Sequence, residues 1–390
     1  MKIIIAAPHC NKDFYIEYQY RSIKKYVQDT NYEFVIFNDS RNVANIENFN
    51  DSKVYGKINK KCKELDIPCI DIPQGLHAHR NYVFPKAWCN YEINHIAARQ
   101  SVALQYIYNL FCNQKDTILL LMEEDMFFTR PYHIEKAMNQ FDMMCFLQLK
   151  HHTPDINHFC TYCWPAFIGF NLETLPNKHQ LSFDFGGVIN IPVDPGGHLI
   201  YHLLDNPQTK IKLLQNNFVI NRESLSAYKE KINYPELEKF FNDICQTKHK
   251  LQFGMDFNRE IGIEYIDNCI LHIRNGSNWQ QVSKKIDDEV NKSVEKFFSC
   301  ILDDSFSANQ MNSLEFYKLY PLYIYNNRST PVLHNFYVDS EYENSAWIVK
   351  NSDKYKRPYY ECVATKQKSW VWPPVMHFWC NLDEPKNILL

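Results

Sequence analysis

Apolar and polar positions along the first part of the chain predict strands and helices in alternation. Apolar runs at residues 2–8 and 32–40 have the length of buried strands, and the second run ends in polar residues. Between them, residues 12–29 repeat their aromatic and aliphatic positions at helical spacing. A strand, a helix and a strand in this order indicate two neighbouring parallel strands of one sheet.

A long helical pattern at residues 91–111 then leads into the apolar strand "TILLLM", which runs directly into three acidic residues. Residues 162–176 and 183–204 combine aromatic residues with Pro and Gly turn signals, which predicts loops and short strands lining a cleft. The remaining patterns predict a short helix at 131–141, a strand at 142–150, a strand ending in a polar Gly turn at 263–279, and an amphipathic helix at 283–304.

These elements predict the α/β class, with a Rossmann-type mixed sheet flanked by helices over residues 1–300. Periodicity is weak over residues 301–390, so we assign them to a C-terminal extension that packs on the main domain. A chain of 390 residues is long enough for one large domain with such an extension, or for two domains.

The composition argues against several classes of function. The net charge is −3 and no basic tract is present, which argues against nucleic acid as a partner. Neither of the Gly-based phosphate motifs occurs. The N-terminal apolar run is shorter than a signal peptide needs, and no run has the length of a membrane span, so we expect a cytoplasmic protein. Cys160 and Cys163 permit a structural zinc site, but no second Cys pair follows them.

The acidic triplet Glu123, Glu124 and Asp125 is the strongest candidate for chemistry. Alternate residues of an extended segment face the same side, so Glu123 and Asp125 are expected to face one side and Glu124 the other. Two neighbouring carboxylates repel each other unless a cation lies between them. Carboxylate oxygens suit Mn²⁺ or Mg²⁺, completed by water and substrate phosphates. The alternative is a solvated loop or an acidic helix N-terminus.

The carboxylate-x-carboxylate followed by Met-Phe resembles the "DxD" metal motif of nucleotide-sugar glycosyltransferases with the GT-A fold, with Glu in place of the first Asp. The resemblance implies a GT-A-like sheet and implies that Glu123 and Asp125 hold Mn²⁺ or Mg²⁺ against the diphosphate of the donor. We assign Glu124, which lies between them, to the donor-binding residues. "YEFVIFNDS" is similar to the second strand of this family, which implies that Asp39 contacts the base or the ribose.

The segment "HIRNGSNW" resembles the late strand and turn of the same family. This resemblance implies that His272 is a further metal ligand and that Ser277 reaches the diphosphate. Arg274 beside it, and Arg99 on the helix before the acidic strand, are candidates for bidentate contact with a phosphate. Their alternative role is an ordinary surface ion pair, and that of His272 is a packed core residue.

Two further acids lie in the segment at residues 183–199, which resembles the loop and helix start that meet the acceptor and the donor sugar. We expect Asp184 or Asp194 to be the catalytic base if the reaction inverts the anomeric carbon. Asp184 has aromatic neighbours, which would partly desolvate it. Asp194 precedes Pro and two Gly, where its alternative role is to cap the following helix.

The sequence therefore predicts a metal-dependent glycosyltransferase that moves a sugar from a UDP- or GDP-sugar to a hydroxyl of a glycan or glycoprotein. One alternative is a nucleotidyltransferase acting on sugar phosphates, although its usual Gly-rich, Lys-bearing loop is missing from the N-terminal sequence. The other is a non-catalytic carbohydrate-binding protein that has lost its active site, which the Glu at the first DxD position favours.

Overall fold

The computed structural model describes residues 1–40, 52–78, 96–151, 159–188, 191–214, 216–220, 248–250, 258–260, 263–267, 269–273, 276, 284–303, 317–324, 332–339, 347–352, 357–362 and 368–369. Helices in these residues are α1 (Phe14–Tyr26), α2 (Ser52–Glu64), α3 (Gln74–Ala78), α4 (Ile96–Phe111), α5 (Ile134–Met138), α6 (Leu199–Asp205) and α7 (Lys284–Ile301). A short 3-10 helix spans Lys178–Gln180. Among the described helices, none is long and apolar enough to cross a membrane.

The strands are, up to residue 171, β1 (Lys2–His9), β2 (Tyr32–Asn38), β3 (Cys69–Asp71), β4 (Thr117–Met122), β5 (Met126–Phe128), β6 (Met143–His151) and β7 (Phe159–Asn171). They continue with β8 (Gly186–Val188), β9 (Ile191–Val193), β10 (Ile211–Leu213), β11 (Asn216–Ile220), β12 (Lys248–Lys250), β13 (Asn258–Glu260), β14 (Ile263–Ile266) and β15 (Ile270–Ile273). The last are β16 (Tyr317–Ile324), β17 (Val332–Asp339), β18 (Trp347–Ser352), β19 (Arg357–Cys362) and β20 (Lys368–Ser369).

The chain divides into two compact units, and the first comprises residues 1–79, 119–136 and 216–311. Its strands β4, β1, β2 and β3 lie side by side in this order, and β1, β2 and β3 are parallel. β1 pairs with β2 from Ile3 opposite Tyr32 to His9 opposite Asn38, and β2 pairs with β3 in the same direction. Residues 3–7 of β1 are completely buried. The predicted strand, helix and parallel strand at the N-terminus are therefore present.

A second, antiparallel sheet of the first unit has the order β11-β14-β15-β5. β14 and β15 form a hairpin whose turn contains Asp267 with a φ of 53°. The sequence pattern predicted one continuous strand here, which is wrong because Asp267 takes the left-handed conformation that Asp tolerates in turns. β15 also pairs with β5, so that His272 lies opposite Met126.

Helices α1 and α7 pack on β5 through aromatic side chains. The ring of Phe127 lies with its centroid 4.5 Å from that of Phe298 on α7 and 5.4 Å from that of Tyr15 on α1. Both helices match the predicted apolar periodicity, and α7 buries residues 290, 294, 297, 298 and 301 on one face. These contacts hold the segment that follows the acidic triplet against two helices.

The second unit comprises residues 80–118, 137–215 and 312–390. Its larger sheet has the order β16-β17-β10-β6-β7, in which β10 is parallel to β6 and β17, whereas β6–β7 and β16–β17 are antiparallel. β7 is 13 residues long, so the prediction of loops and short strands is wrong for residues 162–171, whereas residues 172–176 lie in a turn as predicted. Antiparallel pairing with β6 outweighs the local turn signal of Pro165.

The fold class is α/β, with mixed sheets flanked by helices, as the sequence predicted. The predicted C-terminal extension contributes β16 and β17 to the sheet of the second unit. The other described strands of this extension, β18, β19 and β20, form a separate antiparallel sheet. The division into residues 1–300 and 301–390 stays a prediction.

Candidate metal centre

The acidic triplet lies on a turn between β4 and β5 and not on an extended strand. The Met126 N–H donates to the Glu123 carbonyl over 3.2 Å, which closes this turn. The chain leaves the parallel sheet at the end of β4 and enters the antiparallel sheet at β5. The three carboxylates therefore stand where the two sheets of the first unit are joined by the chain.

This turn brings Glu123 and Asp125 together with His272, whose ligand atoms all lie within 4.8 Å of one another. His272 Nε2 is 3.8 Å from Glu123 Oε2 and 3.5 Å from Asp125 Oδ1. Asp125 and His272 are buried, whereas the Glu123 side chain is 20% exposed. The cluster is thus enclosed on one side and open at Glu123.

Glu264 positions the imidazole of His272. Its Oε2 lies 2.7 Å from His272 Nδ1, and the two residues are direct neighbours across the β14–β15 hairpin. Metal-binding histidines usually donate their second N–H to a carboxylate, which sets the tautomer and the ring orientation. Here that contact leaves Nε2 facing Glu123 and Asp125.

The charges in this cluster determine the protonation of His272. Burial acts to lower the pKa of its imidazole, but the carboxylates of Asp125 and Glu264 outweigh this effect and raise the pKa to about 10. At neutral pH the imidazolium therefore balances the surrounding carboxylates. A bound metal ion would take over this balance, because a ligating imidazole is neutral.

The donor set fits a divalent cation. Two carboxylates and one imidazole, which a third carboxylate orients, match the ligand preferences of Mn²⁺ and are also acceptable to Mg²⁺. Three protein ligands leave further coordination positions for water or for phosphate oxygens of a substrate. Glu123, Asp125 and His272 are therefore the residues that would hold the metal.

Glu124 faces a different set of atoms. Its Oε2 accepts a hydrogen bond from the Cys10 N–H over 3.1 Å and lies 3.5 Å from His9 Nδ1, both at the end of β1. Burial, and next the charge of Asp125, raise the pKa of Glu124 well above its ordinary value. Glu124 does not join the three-residue cluster, and its predicted contact with the donor stays a prediction.

Gln19 of α1 braces the acidic turn. Its Nε2 donates to the carbonyls of Glu123 and Met126, over 2.7 and 3.1 Å. Its Oε1 lies 3.0 Å from Nε2 of His9, and burial lowers the pKa of His9. One buried amide therefore holds both ends of the turn that carries the carboxylates.

The other residues predicted to bind the donor lie in different places. Asp39 follows β2 and is buried, with its Oδ1 2.6 Å from His77 Nε2. Arg99 is buried on α4 of the second unit. Arg274 and Ser277 lie outside the described residues. The roles of all four stay predictions.

The two candidate bases lie in the second unit. Asp184 is buried; its Oδ1 accepts from the Phe185 N–H over 2.9 Å, and its Oδ2 is 3.8 Å from His198 Nδ1. Asp194 is half-buried and accepts a hydrogen bond from the Tyr162 hydroxyl over 2.7 Å. The alternative role of Asp194 as a helix cap is wrong, since α6 begins at residue 199 with His198 at its N-cap.

Comparisons with known proteins give structural similarity only. No family model matches the chain, and no curated protein matches it. Similar solved structures include the bifunctional glycosyltransferase WbbM, at 9% identity over 46% of this chain and 32% of that chain, with a TM-score of 0.29. The galactosyltransferase LgtC, in complex with donor and acceptor sugar analogues, has 14% identity over 46% and 62%, with a TM-score of 0.27. TarS of S. aureus has 12% identity over 47% and 50%, with a TM-score of 0.26.

Each of these matches covers less than two thirds of the solved chain. Because the identities and TM-scores are low, the function proposed below rests on the geometry of the metal cluster.

Sequence reasoning missed two residues that shape this cluster, Glu264 and Gln19. Glu264 is the one acid in the apolar stretch "IEYI". Once the hairpin turn is recognised, this acid is predicted to lie opposite His272 on the neighbouring strand. Gln19 lies among aromatic residues of α1 and carries no signal in the sequence, because its partners in the acidic turn are more than a hundred residues away.

Gly276 packs against the metal cluster, and we expect Gly276→Ala to destabilise the protein by about 1–3 kcal/mol, as overpacking does. An added Cβ would lie 2.7 Å from the Ile273 carbonyl and 3.0 Å from both the Asp125 Cβ and the Tyr15 hydroxyl. Urea unfolding measures the change. Gly56→Ala is the matched control: it meets nothing within 4 Å on helix α2, where Ala is favoured. Equal stability of the wild type and Gly276→Ala would contradict the close packing.

Proposed function

We propose that the chain is a metal-dependent glycosyltransferase that transfers a sugar from a nucleoside-diphosphate sugar to an acceptor hydroxyl. The observation that carries the proposal is the cluster of Glu123, Asp125 and His272 at the end of β4. In open α/β sheets, ligands bind at the carboxyl ends of the strands. The cluster supplies a site for a divalent cation at that edge.

Each residue of the cluster has a physical role in this proposal. Glu123, Asp125 and His272 hold Mn²⁺ or Mg²⁺ with coordination positions left for the diphosphate of the donor. When bound, the metal neutralises charge that builds on the departing diphosphate. Glu264 keeps His272 Nε2 directed at the two carboxylates, and Gln19 keeps the acidic turn in place.

In this proposal the nucleoside of the donor lies toward Asp39. Glu124 supports the acidic turn by accepting a hydrogen bond from the Cys10 N–H at the end of β1. Asp184 and Asp194 remain the proposed bases for the acceptor hydroxyl. Asp194 is more accessible to a substrate than Asp184, because its side chain is half-buried whereas that of Asp184 is buried. A UDP- or GDP-sugar is the proposed donor, and a glycan or glycoprotein the proposed acceptor.

A thermal-shift titration tests the proposal. A ligand that binds only the folded protein raises the melting temperature by mass action. We expect UDP or GDP, and one of their sugar conjugates, to raise the melting temperature with Mn²⁺ present and not in excess EDTA. The corresponding nucleoside monophosphate is the control, because it lacks the diphosphate that the metal would contact.

The products identify the reaction. Release of a nucleoside diphosphate from the conjugate, with transfer to water or to a sugar acceptor, agrees with glycosyl transfer. Release of pyrophosphate from a nucleoside triphosphate and a sugar phosphate would instead indicate a nucleotidyltransferase. Binding without turnover of any donor would indicate a carbohydrate-binding protein, and absence of a metal-dependent shift would refute the proposed metal site.

A further inference from the structure

A buried histidine–carboxylate pair lies at the end of β2 in the first unit. His77 Nε2 and Asp39 Oδ1 are 2.6 Å apart, and their side chains are 3% and 6% exposed. Asp39 directly follows β2, and His77 lies on α3, shortly after β3. One carboxylate oxygen of Asp39 is therefore bound to an imidazole and not directed at a ligand.

The surroundings hold this pair in place. The Asp39 N–H donates to the His9 carbonyl over 2.8 Å. The neighbouring Asn38 donates through Nδ2 to the Tyr55 carbonyl and to Asn59 Oδ1, over 3.2 and 3.0 Å. These hydrogen bonds hold the backbone at Asn38 and Asp39, and with it the carboxylate that contacts His77.

The second ring nitrogen of His77 is buried, and none of the described residues forms a hydrogen bond with it. Buried polar atoms in folded proteins are nearly always hydrogen-bonded, and an exception calls for a ligand, an ion or an ordered water. Because Asp39 accepts the hydrogen on Nε2, the Nδ1 of a neutral His77 has a lone pair. In this tautomer the ring accepts a hydrogen bond from an N–H or an O–H.

The pair lies at the same sheet edge as the metal cluster. β1, β2 and β3 are parallel, with His9 opposite Asn38 and Asn38 opposite Asp71 at their carboxyl ends. His9 Nδ1 is in turn 3.5 Å from Glu124, within the acidic triplet. A ligand that extends along this edge from the metal cluster meets the residues that follow β2 and β3.

We propose that His77 recognises the nucleoside of the donor, with its Nδ1 accepting a hydrogen bond from an N–H of the base or an O–H of the ribose. Asp39 is the positioning residue, which holds the ring through Nε2. The proposal rests on the function proposed above and assigns a specificity-determining contact within it. A nucleoside offers N–H and O–H donors, whereas an ionised diphosphate offers only acceptors, so His77 contributes to binding of the nucleoside alone.

The test compares three probes by calorimetry on the wild type and on His77→Gln: Mn²⁺ alone, Mn²⁺ with inorganic pyrophosphate, and Mn²⁺ with UDP or GDP. The Gln amide can donate to Asp39 as Nε2–H does, but it has no counterpart of Nδ1. We expect the first two affinities to be unchanged and the nucleoside diphosphate to bind about tenfold more weakly, the effect of one lost hydrogen bond. His133→Gln, at an exposed histidine of the same unit, is the matched control.

Two further comparisons test the role of Asp39 and identify the contacted group of the nucleoside. Asp39→Asn is expected to weaken the binding of the nucleoside diphosphate alone. The Asp39→Asn, His77→Gln double variant is expected to lose little more affinity than His77→Gln does, because both changes act on one contact. Analogues with a methylated base N–H or with a deoxyribose distinguish the base from the ribose. The analogue that lacks the contacted group binds the wild type and His77→Gln equally. If His77→Gln fails to fold, Asp39→Asn tests the same contact with the His77 ring still in place.

Equal affinity of wild type and His77→Gln for the nucleoside diphosphate would overturn the role of His77 while leaving the proposed function intact. If His77→Gln bound all three probes more weakly to the same extent, the role of His77 would be overturned as well, because such a result would indicate a structural role. Failure of the wild type to bind Mn²⁺ or any nucleoside diphosphate would refute the proposed function itself, and this assignment with it.

Discussion

Replacement of Asp125 with Asn is expected to slow metal-dependent release of nucleoside diphosphate from the donor by about 10³-fold or more. Asn keeps the size of the side chain and removes its charge, and a neutral amide is a weaker ligand for a hard divalent cation. Asp125 is buried, and its Oδ1 is the carboxylate atom of the cluster nearest to His272 Nε2. A bound metal supplies several kcal/mol of charge stabilisation, and each 1.4 kcal/mol corresponds to about tenfold in rate.

The measurement is the rate of donor turnover over a Mn²⁺ titration, together with Mn²⁺ affinity by calorimetry. Asp288→Asn, at an exposed position of α7 in the same unit, is the matched control and should behave as the wild type does. Urea unfolding establishes that the Asp125→Asn protein is folded. Turnover at the wild-type rate with unchanged Mn²⁺ dependence would show that Asp125 is not a metal ligand.

Replacement of Glu264 with Gln is expected to weaken Mn²⁺ binding by about 10–100-fold. This is the usual loss of affinity when the hydrogen-bond partner of a metal-binding histidine is changed. The Gln carbonyl can still accept from His272 Nδ1, but it no longer carries the charge that favours the imidazole as a ligand. Because Glu123, Asp125 and His272 all remain, excess Mn²⁺ should restore turnover. This rescue distinguishes Glu264→Gln from Asp125→Asn, which loses a ligand.

The Mn²⁺ affinity of Glu264→Gln is measured by calorimetry, and turnover is measured at limiting and at saturating Mn²⁺. Glu289→Gln, exposed on α7, is the control for loss of one negative charge from the same unit. An affinity within twofold of the wild type would mean that the 2.7 Å contact between Glu264 and His272 has no part in metal binding.

Much of the first unit could be predicted from the sequence, because its strands and helices have the periodicities of their buried faces. The apolar run of β1 is completely buried over residues 3–7, and the apolar stripe of α7 packs on Phe127. Such patterns are local: side chains alternate along a strand and return every three to four residues along a helix. The position of the acidic triplet at the end of β4 followed from the same reading.

Other elements depended on pairing between distant segments. β7 carries Pro165 and turn-like residues, yet it forms a 13-residue strand because β6 offers an antiparallel partner. The hairpin of β14 and β15 turns at Asp267, whose left-handed conformation carries little sequence signal without a following Gly. In both places tertiary pairing outweighed the local preference, which is the usual weakness of strand prediction.

For the candidate site, Glu123, Asp125 and His272 could be predicted from the sequence, through the acidic triplet and a family resemblance. What holds these side chains and what surrounds them depends on the three-dimensional fold. Glu264 faces His272 because two strands pair in one register, and Asp39 meets His77 because β2 and β3 lie side by side. Hydrogen bonds of this kind join side chains across elements at distances of about 3 Å, and no periodicity along the chain encodes them.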